Sequence, residues 1–146
     1  MKANDIMTER PEGVTPGTSI AEVARIMREM NVGIVPVTDD DGHLLGVITD
    51  RDITIRVTAA GLPPQDVTVQ DFMSPNVITV SPDDSVDQVR QLMADNQIRR
   101  VMVTQDDKLV GVISLGDIAL NERDEDAKNG QVLEEVSEPV NLDRIA

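Results

Sequence analysis

Apolar residues at Ile20, Val23, Ala24, Met27 and Met30 fall at i, i+3, i+4, i+7 and i+10, the spacing of one face of an α-helix. Ser19 precedes the run and Glu22 stands three residues on, the capping-box pattern that starts a helix. Val32 to Val37 is a short run rich in β-branched residues, too short for a helix, and predicts a buried strand. Thr38-Asp39-Asp40-Asp41-Gly42-His43 is turn chemistry, after which Leu44 to Ile48 returns as the second strand of a hairpin. A second helix is predicted from about Thr49 to Gly61, a residue suited to a C-cap.

The same order then comes again. Asp5-Ile6-Met7-Thr8 overlies Asp71-Phe72-Met73-Ser74 at an offset of 66, which also carries Pro16 to Pro82, Ile20 to Val86, Met27 to Met93 and Val37 to Val103. After a one-residue slip, Gly46-Val47-Ile48-Thr49-Asp50-Arg51-Asp52-Ile53 falls on Gly111-Val112-Ile113-Ser114-Leu115-Gly116-Asp117-Ile118. Matches in register over that length mark a tandem duplication. In the second copy Ser85 and Gln88 cap a helix bearing Val86, Val89, Leu92 and Met93, and strands follow at 100–104 and 109–113. The reading is an α/β chain of two β-α-β-β-α repeats at 3–58 and 70–122, joined by a linker at 59–69 containing Gly61-Leu62-Pro63-Pro64. A unit of about 55 residues is marginal alone, so the two are expected to pack face to face. Residues 123–146 form an acidic tail with seven acids against three bases, in which Val132, Leu133 and Val136 could make one amphipathic turn.

Composition narrows the function. Of 146 residues only Phe72 is aromatic, so the core is aliphatic, with Met27, Met30 and Met93 filling gaps. The formal net charge of −14 repels phosphate backbones and anionic lipid, which argues against nucleic-acid and membrane-surface partners. No apolar run approaches the roughly 20 residues of a membrane span, and no signal-peptide core opens the chain, so a cytoplasmic location is expected. Cysteine is absent and His43 is the one histidine, which excludes disulfides, thiol catalysis and any histidine pair within one chain. Asp supplies 18 of 27 acids and Arg 10 of 13 bases, consistent either with a salt-rich cytoplasm or with Arg-biased codon usage.

The feature that recurs is Gly-h-h-Thr/Ser-x-x-Asp, where h is hydrophobic, at the entry to the last helix of each repeat. Thr49-x-x-Asp52 and Ser114-x-x-Asp117 are helix-capping patterns. The same geometry also suits a nucleoside phosphate, because a helix start offers N–H groups and a hydroxyl to phosphate while a carboxylate accepts both hydroxyls of a ribose. No nucleophile–base pair, metal cluster or Gly-rich phosphate loop points to catalysis. Asp39-Asp40-Asp41-Gly42 resembles the start of a calcium loop, but its twelfth position is Asp50, inside the next element, so it reads as a polar turn with His43 exposed.

A tandem repeat with a hydrophobic-Pro-Val strand at Pro36 and this motif in both copies resembles the cystathionine β-synthase (CBS) domain pair, or Bateman module, over residues 3 to 122. The resemblance implies two repeats packed through their sheets about a pseudo-twofold axis, with clefts that bind AMP, ADP, ATP, NAD or S-adenosylmethionine. It implies a non-catalytic regulatory module and a homodimer, with an effector outside the chain. A ligand-free scaffold is the alternative. By the same resemblance Asp52 and Asp117 hold ribose, Thr49 and Ser114 contact ribose or phosphate, and basic residues come from the opposite repeat. Arg99 and Arg100 stand where the first repeat has Gly33 and Ile34, so with Arg51 they imply that the Asp52 site prefers a phosphorylated ligand; a solvated charge pair is the other reading. Met102 replaces the second repeat's proline, which implies a reshaped second base pocket.

Overall fold

The computed structural model describes residues 1–128. The β-α-β-β-α reading called for a leading strand without placing it, and the first elements are one helical turn at Ala3–Ile6 (α1) and a short strand at Thr8–Glu9 (β1). The Lys2 N–H donates to the Asp5 carboxylate (2.8 Å) at the start of that turn. Ile20–Met30 (α2), Ile34–Thr38 (β2) and Leu44–Thr49 (β3) follow as the first helix and hairpin. The helix expected after Thr49 is not uniform: a single α-turn, Asp50–Asp52 (α3), passes into a π-helical segment over Ile53–Thr58. The Ala59 N–H bonds the Thr54 carbonyl (2.9 Å) and the Leu62 N–H the Val57 carbonyl (3.1 Å), each five residues back. Five of the six residues Ile53–Thr58 are β-branched, the type that crowds a tighter α-turn. Gly61, at φ +75°, takes the left-handed conformation that ends it.

The second repeat supplies Thr79–Val80 (β4), Val86–Asn96 (α4), Arg100–Gln105 (β5), Lys108–Ser114 (β6) and Leu115–Lys128 (α5). α5 runs through Arg123 into the segment read as tail, so its first six residues continue a helix; Val132, Leu133 and Val136 lie outside the described residues.

Two compact units form, each drawing on both repeats. One takes residues 1–10, 78–105 and 110–128, with a four-stranded sheet in the order β1-β6-β5-β4. β1 runs antiparallel to β6 (Thr8 opposite Val112) and β4 parallel to β5. The other takes residues 11–77 and 106–109. There β2 and β3 pair antiparallel, Val14 bridges β2 in parallel, and Ser74 bridges Val47 of β3. The order of the four positions is the same in both units. In each, the outer position beside the last strand is filled by the leading segment of the other repeat, Thr8 in one and Ser74 in the other.

Each unit has its own aliphatic core. Ile20, Val23, Ile26 and Met27 of α2 pack with Val35, Val37 and Ile48, while Val86, Val89 and Met93 of α4 pack with Val101, Val103 and Ile113. Two expected core positions on α2 differ: Ala24 and Met30 are exposed and Ile26 is buried instead. Met30 is the last residue of the helix, before Asn31 turns left-handed at φ 55°, so it overshoots the core. The capping boxes also differ. Ser85 and Gln88 form both reciprocal bonds (2.8 and 3.1 Å), whereas Ser19 accepts from the Glu22 N–H (3.1 Å) and the Glu22 carboxylate turns to Arg25.

Candidate functional site

Both predicted motifs close into the same geometry. The Thr49 N–H donates to Asp52 Oδ2 (3.0 Å), and the Asp52 N–H donates to Thr49 Oγ1 (3.1 Å). The Ser114 N–H donates to Asp117 Oδ2 (2.9 Å), and the Asp117 N–H donates to Ser114 Oγ (3.0 Å). All four residues are half-buried. Each motif is pinned at its entry by a further bond: the Asp50 N–H to the Gly33 carbonyl (2.9 Å) and the Leu115 N–H to the Arg99 carbonyl (2.8 Å). The residue just before the first strand of each hairpin, Gly33 before β2 and Arg99 before β5, therefore fixes where each last helix begins.

This arrangement sorts the chemistry available. The first-turn N–H groups of the first motif are engaged, Asp50 N–H with Gly33, Arg51 N–H with Asp50 Oδ1 (2.9 Å), Asp52 N–H with Thr49 Oγ1 and Ile53 N–H with the Asp50 carbonyl, while the Thr49 hydroxyl, an acceptor in this set, keeps its own O–H to donate. The Asp52 and Asp117 carboxylates each accept one backbone bond through Oδ2, and a carboxylate has about four lone-pair positions. Their remaining acceptor capacity suits a diol.

Arg51 is exposed beside Asp52, and Arg99 and Arg100 are half-buried at the head of β5, in the same unit as Ser114 and Asp117. Pro36 is buried in the middle of β2. Its carbonyl accepts from the Val14 N–H (3.0 Å), and a residue's N and C=O share one side of a strand. The missing N–H thus falls on the side that carries the single Val14 bridge, and no bond to β3 is lost. Met102, at the matching place, is buried opposite Thr79.

One residue here was not singled out by the motif. The carboxylate of Asp50 lies flat over Gly33: a Cβ there would meet Asp50 Oδ2 at 3.0 Å and its Cγ at 3.3 Å. The signal was present in the duplication, which sets Asp50 against Leu115 and Gly33 against Arg99.

Among the described residues, Asp39, Asp41 and His43 at the β2–β3 turn are a set of metal-type donors within 4.8 Å of one another. Asp39 is engaged by the turn itself, accepting from the Asp41 and His43 N–H groups (2.9 and 2.8 Å) and bonding His43 Nδ1 (3.1 Å). The His43 backbone bond is the main cause that holds the Asp39 carboxyl below its ordinary range. The half-buried His43 is therefore more enclosed than the exposed position expected of it.

Two matching α/β units, each ending its central hairpin in a hydroxyl–carboxylate box, define a duplicated module with one such box per repeat. The chain belongs to the CBS-domain family: the CBS domain model matches residues 3–58 and again 69–122. It is 41% identical over 118 residues to the CBS domain-containing protein YhcV of Bacillus subtilis (strain 168), covering 81% of this chain and 83% of that one. Among solved structures it is similar to the CBS domain pair of protein MJ0100 in complex with 5′-methylthioadenosine and S-adenosyl-L-methionine, with 30% identity, a TM-score of 0.74, and 86% and 98% of the two chains covered. It is also similar to CBSX2 in complex with AMP, with 25% identity, a TM-score of 0.74, and 85% and 97% covered. No helix among the described residues is long and apolar enough to cross a membrane.

Proposed function

We propose that this chain is a non-catalytic regulatory module that binds an adenosyl ligand (AMP, ADP, ATP, NAD or S-adenosylmethionine) and acts as a metabolite or energy sensor in the cytoplasm. The observation that carries this reading is the box formed twice, in which the Asp52 and Asp117 carboxylates keep acceptor capacity for the two hydroxyls of a ribose. Relatives of the same fold bind AMP, 5′-methylthioadenosine and S-adenosyl-L-methionine, which supports the adenosyl class. In this proposal Thr49 and Ser114 orient the carboxylates, Arg51, Arg99 and Arg100 supply positive charge, and the backbone around Pro36 faces the base. The ligand acts by shifting an equilibrium between two states of the module, by as much as its affinity for them differs. The working assembly is a homodimer, supported by the exposed apolar Ile55 and Leu120 at matching places in the two repeats.

Isothermal titration of the full chain with AMP, ATP, NAD and S-adenosylmethionine, at low and high KCl, tests the reading. Saturable binding of at least one is expected, and Asp52→Asn combined with Asp117→Asn should abolish it while leaving the melting temperature near that of the wild type. The amide retains an acceptor for the capping N–H but not the acceptor capacity of a carboxylate. No binding of any of the four at millimolar concentration would overturn the sensor in favour of a ligand-free scaffold.

A further inference from the structure

The two motifs differ in charge more than the shared Thr/Ser and Asp imply. Asp50, Arg51 and Asp52 stand together in the first, a formal charge of −1, and the Asp50 carboxylate is held in place. Arg51 N–H fixes one oxygen at 2.9 Å, and the bare Cα of Gly33 leaves the space that the carboxylate fills. No first-turn N–H of α3 is left to receive an anion, because each of them bonds Gly33, Asp50 or Thr49. The second motif has Leu115 and Gly116 in place of Asp50 and Arg51, and its entry is pinned on Arg99, with Arg100 following in β5.

Resting on the adenosyl-binding reading above, we infer that Asp50 is a specificity-determining residue: it disfavours a phosphate at the Thr49–Asp52 motif and selects an adenosyl group whose 5′ substituent is neutral or cationic. This reverses the preference implied by the arginines alone. A phosphate brought to α3 meets the Asp50 and Asp52 carboxylates against the single Arg51 cation and no free backbone donor, whereas a thioether meets no repulsion and a sulfonium gains attraction. Gly33 is the supporting residue, since a Cβ there would press on the Asp50 carboxylate at 3.0–3.4 Å.

The test uses the full chain carrying Asp117→Asn, so that the first motif is measured with the second disabled, titrated with adenosine, AMP and S-adenosylmethionine. AMP is expected to bind more weakly than adenosine. Asp50→Asn, which keeps an acceptor for the Arg51 N–H, should tighten AMP by roughly 3- to 10-fold, weaken S-adenosylmethionine, and leave adenosine within about 2-fold. Raising KCl to about 0.5 M should shrink both changes. Adenosine binding with an AMP affinity unmoved by Asp50→Asn would overturn the role of Asp50 and leave the adenosyl reading standing. Failure of adenosine, AMP and S-adenosylmethionine to bind even with Asp117 intact would overturn the adenosyl reading and this inference with it.

Discussion

Gly46 lies directly beneath Ser74: a Cβ at Gly46 would come within 2.5 Å of the Ser74 carbonyl oxygen, which is itself bonded into the bridge with Val47. The matching Gly111 lies beneath Met7, where the same atom would meet the Met7 sulfur at 2.5 Å and, less closely, the Thr8 carbonyl oxygen at 3.1 Å. The nearest obstacles differ in kind. A backbone carbonyl held by hydrogen bonds cannot yield without breaking them, whereas the end of a methionine side chain can swing aside at the cost of a rotamer. Gly46→Ala is therefore expected to destabilise by about 1–3 kcal/mol, the range for overpacking, and Gly111→Ala by less. Urea unfolding of the two variants checks this, and equal losses would show that Met7 and the Thr8 carbonyl together yield no more than the Ser74 backbone.

The helix caps give a second comparison inside one molecule. Ser85 and Gln88 complete their box, while Ser19 receives the Glu22 N–H but not the Glu22 carboxylate. Ser19→Ala and Ser85→Ala should each cost about 1 kcal/mol, since each removes an acceptor from a helix start. Gln88→Ala should cost more than Glu22→Ala, because only Gln88 returns a bond to its cap. Thermal melts of the four variants test the order; a Glu22→Ala loss equal to that of Gln88→Ala would contradict the half-formed box.

Much of this was legible from residue spacing because the duplication doubles every signal. α2 and α4, both hairpins and both boxes follow from apolar periodicity and from Ser, Thr and Asp at fixed offsets. The leading segments were not legible. The turn at Ala3–Ile6 and the strand Thr8–Glu9 are four and two residues long, too short to carry a period, and their partners lie more than 70 residues away. For the same reason nothing local announced that Thr8 would pair with Val112 and Ser74 with Val47. The π-helical stretch after Asp52 was hidden because its apolar pattern also fits an α-helix. At the site, the motif marked Thr49 and Asp52 but not Asp50, whose place depends on the absence of a side chain at Gly33, seventeen residues earlier.

Asp39 gives the molecule an acid-sensitive turn. Its carboxyl is held below the ordinary Asp value chiefly by the His43 N–H, which outweighs the opposing effect of burial and is aided by the His43 ring and the Asp41 N–H. A carboxyl with a folded-state pKa below its unfolded value contributes stability that is present above about pH 4 and is lost as pH falls through the folded value. Titration followed by carboxyl-carbon NMR should place the Asp39 midpoint below that of an unfolded reference peptide, and Asp39→Asn should remove that part of the acid sensitivity. A midpoint at or above the reference would mean that the turn does not favour the charged form.

Apolar contact and charge repulsion act against each other in the proposed homodimer. Ile55 and Leu120 are 53% and 58% exposed and stand 65 residues apart, the offset that relates the last helices of the repeats. In the proposed homodimer these two side chains are among the groups a second copy covers. Each chain also carries a formal charge of −14, so association works against charge repulsion. Sedimentation equilibrium should then give a species of about twice 15.9 kDa, tightening as KCl rises because the repulsion is screened. Ile55→Asp with Leu120→Asp should return the chain to monomer while shifting the stability of each unit only slightly, since both side chains already face solvent. A dimer that survives both substitutions would place the contact elsewhere. One that weakens as salt rises would mean that ion pairs hold it, and not the two exposed apolar residues.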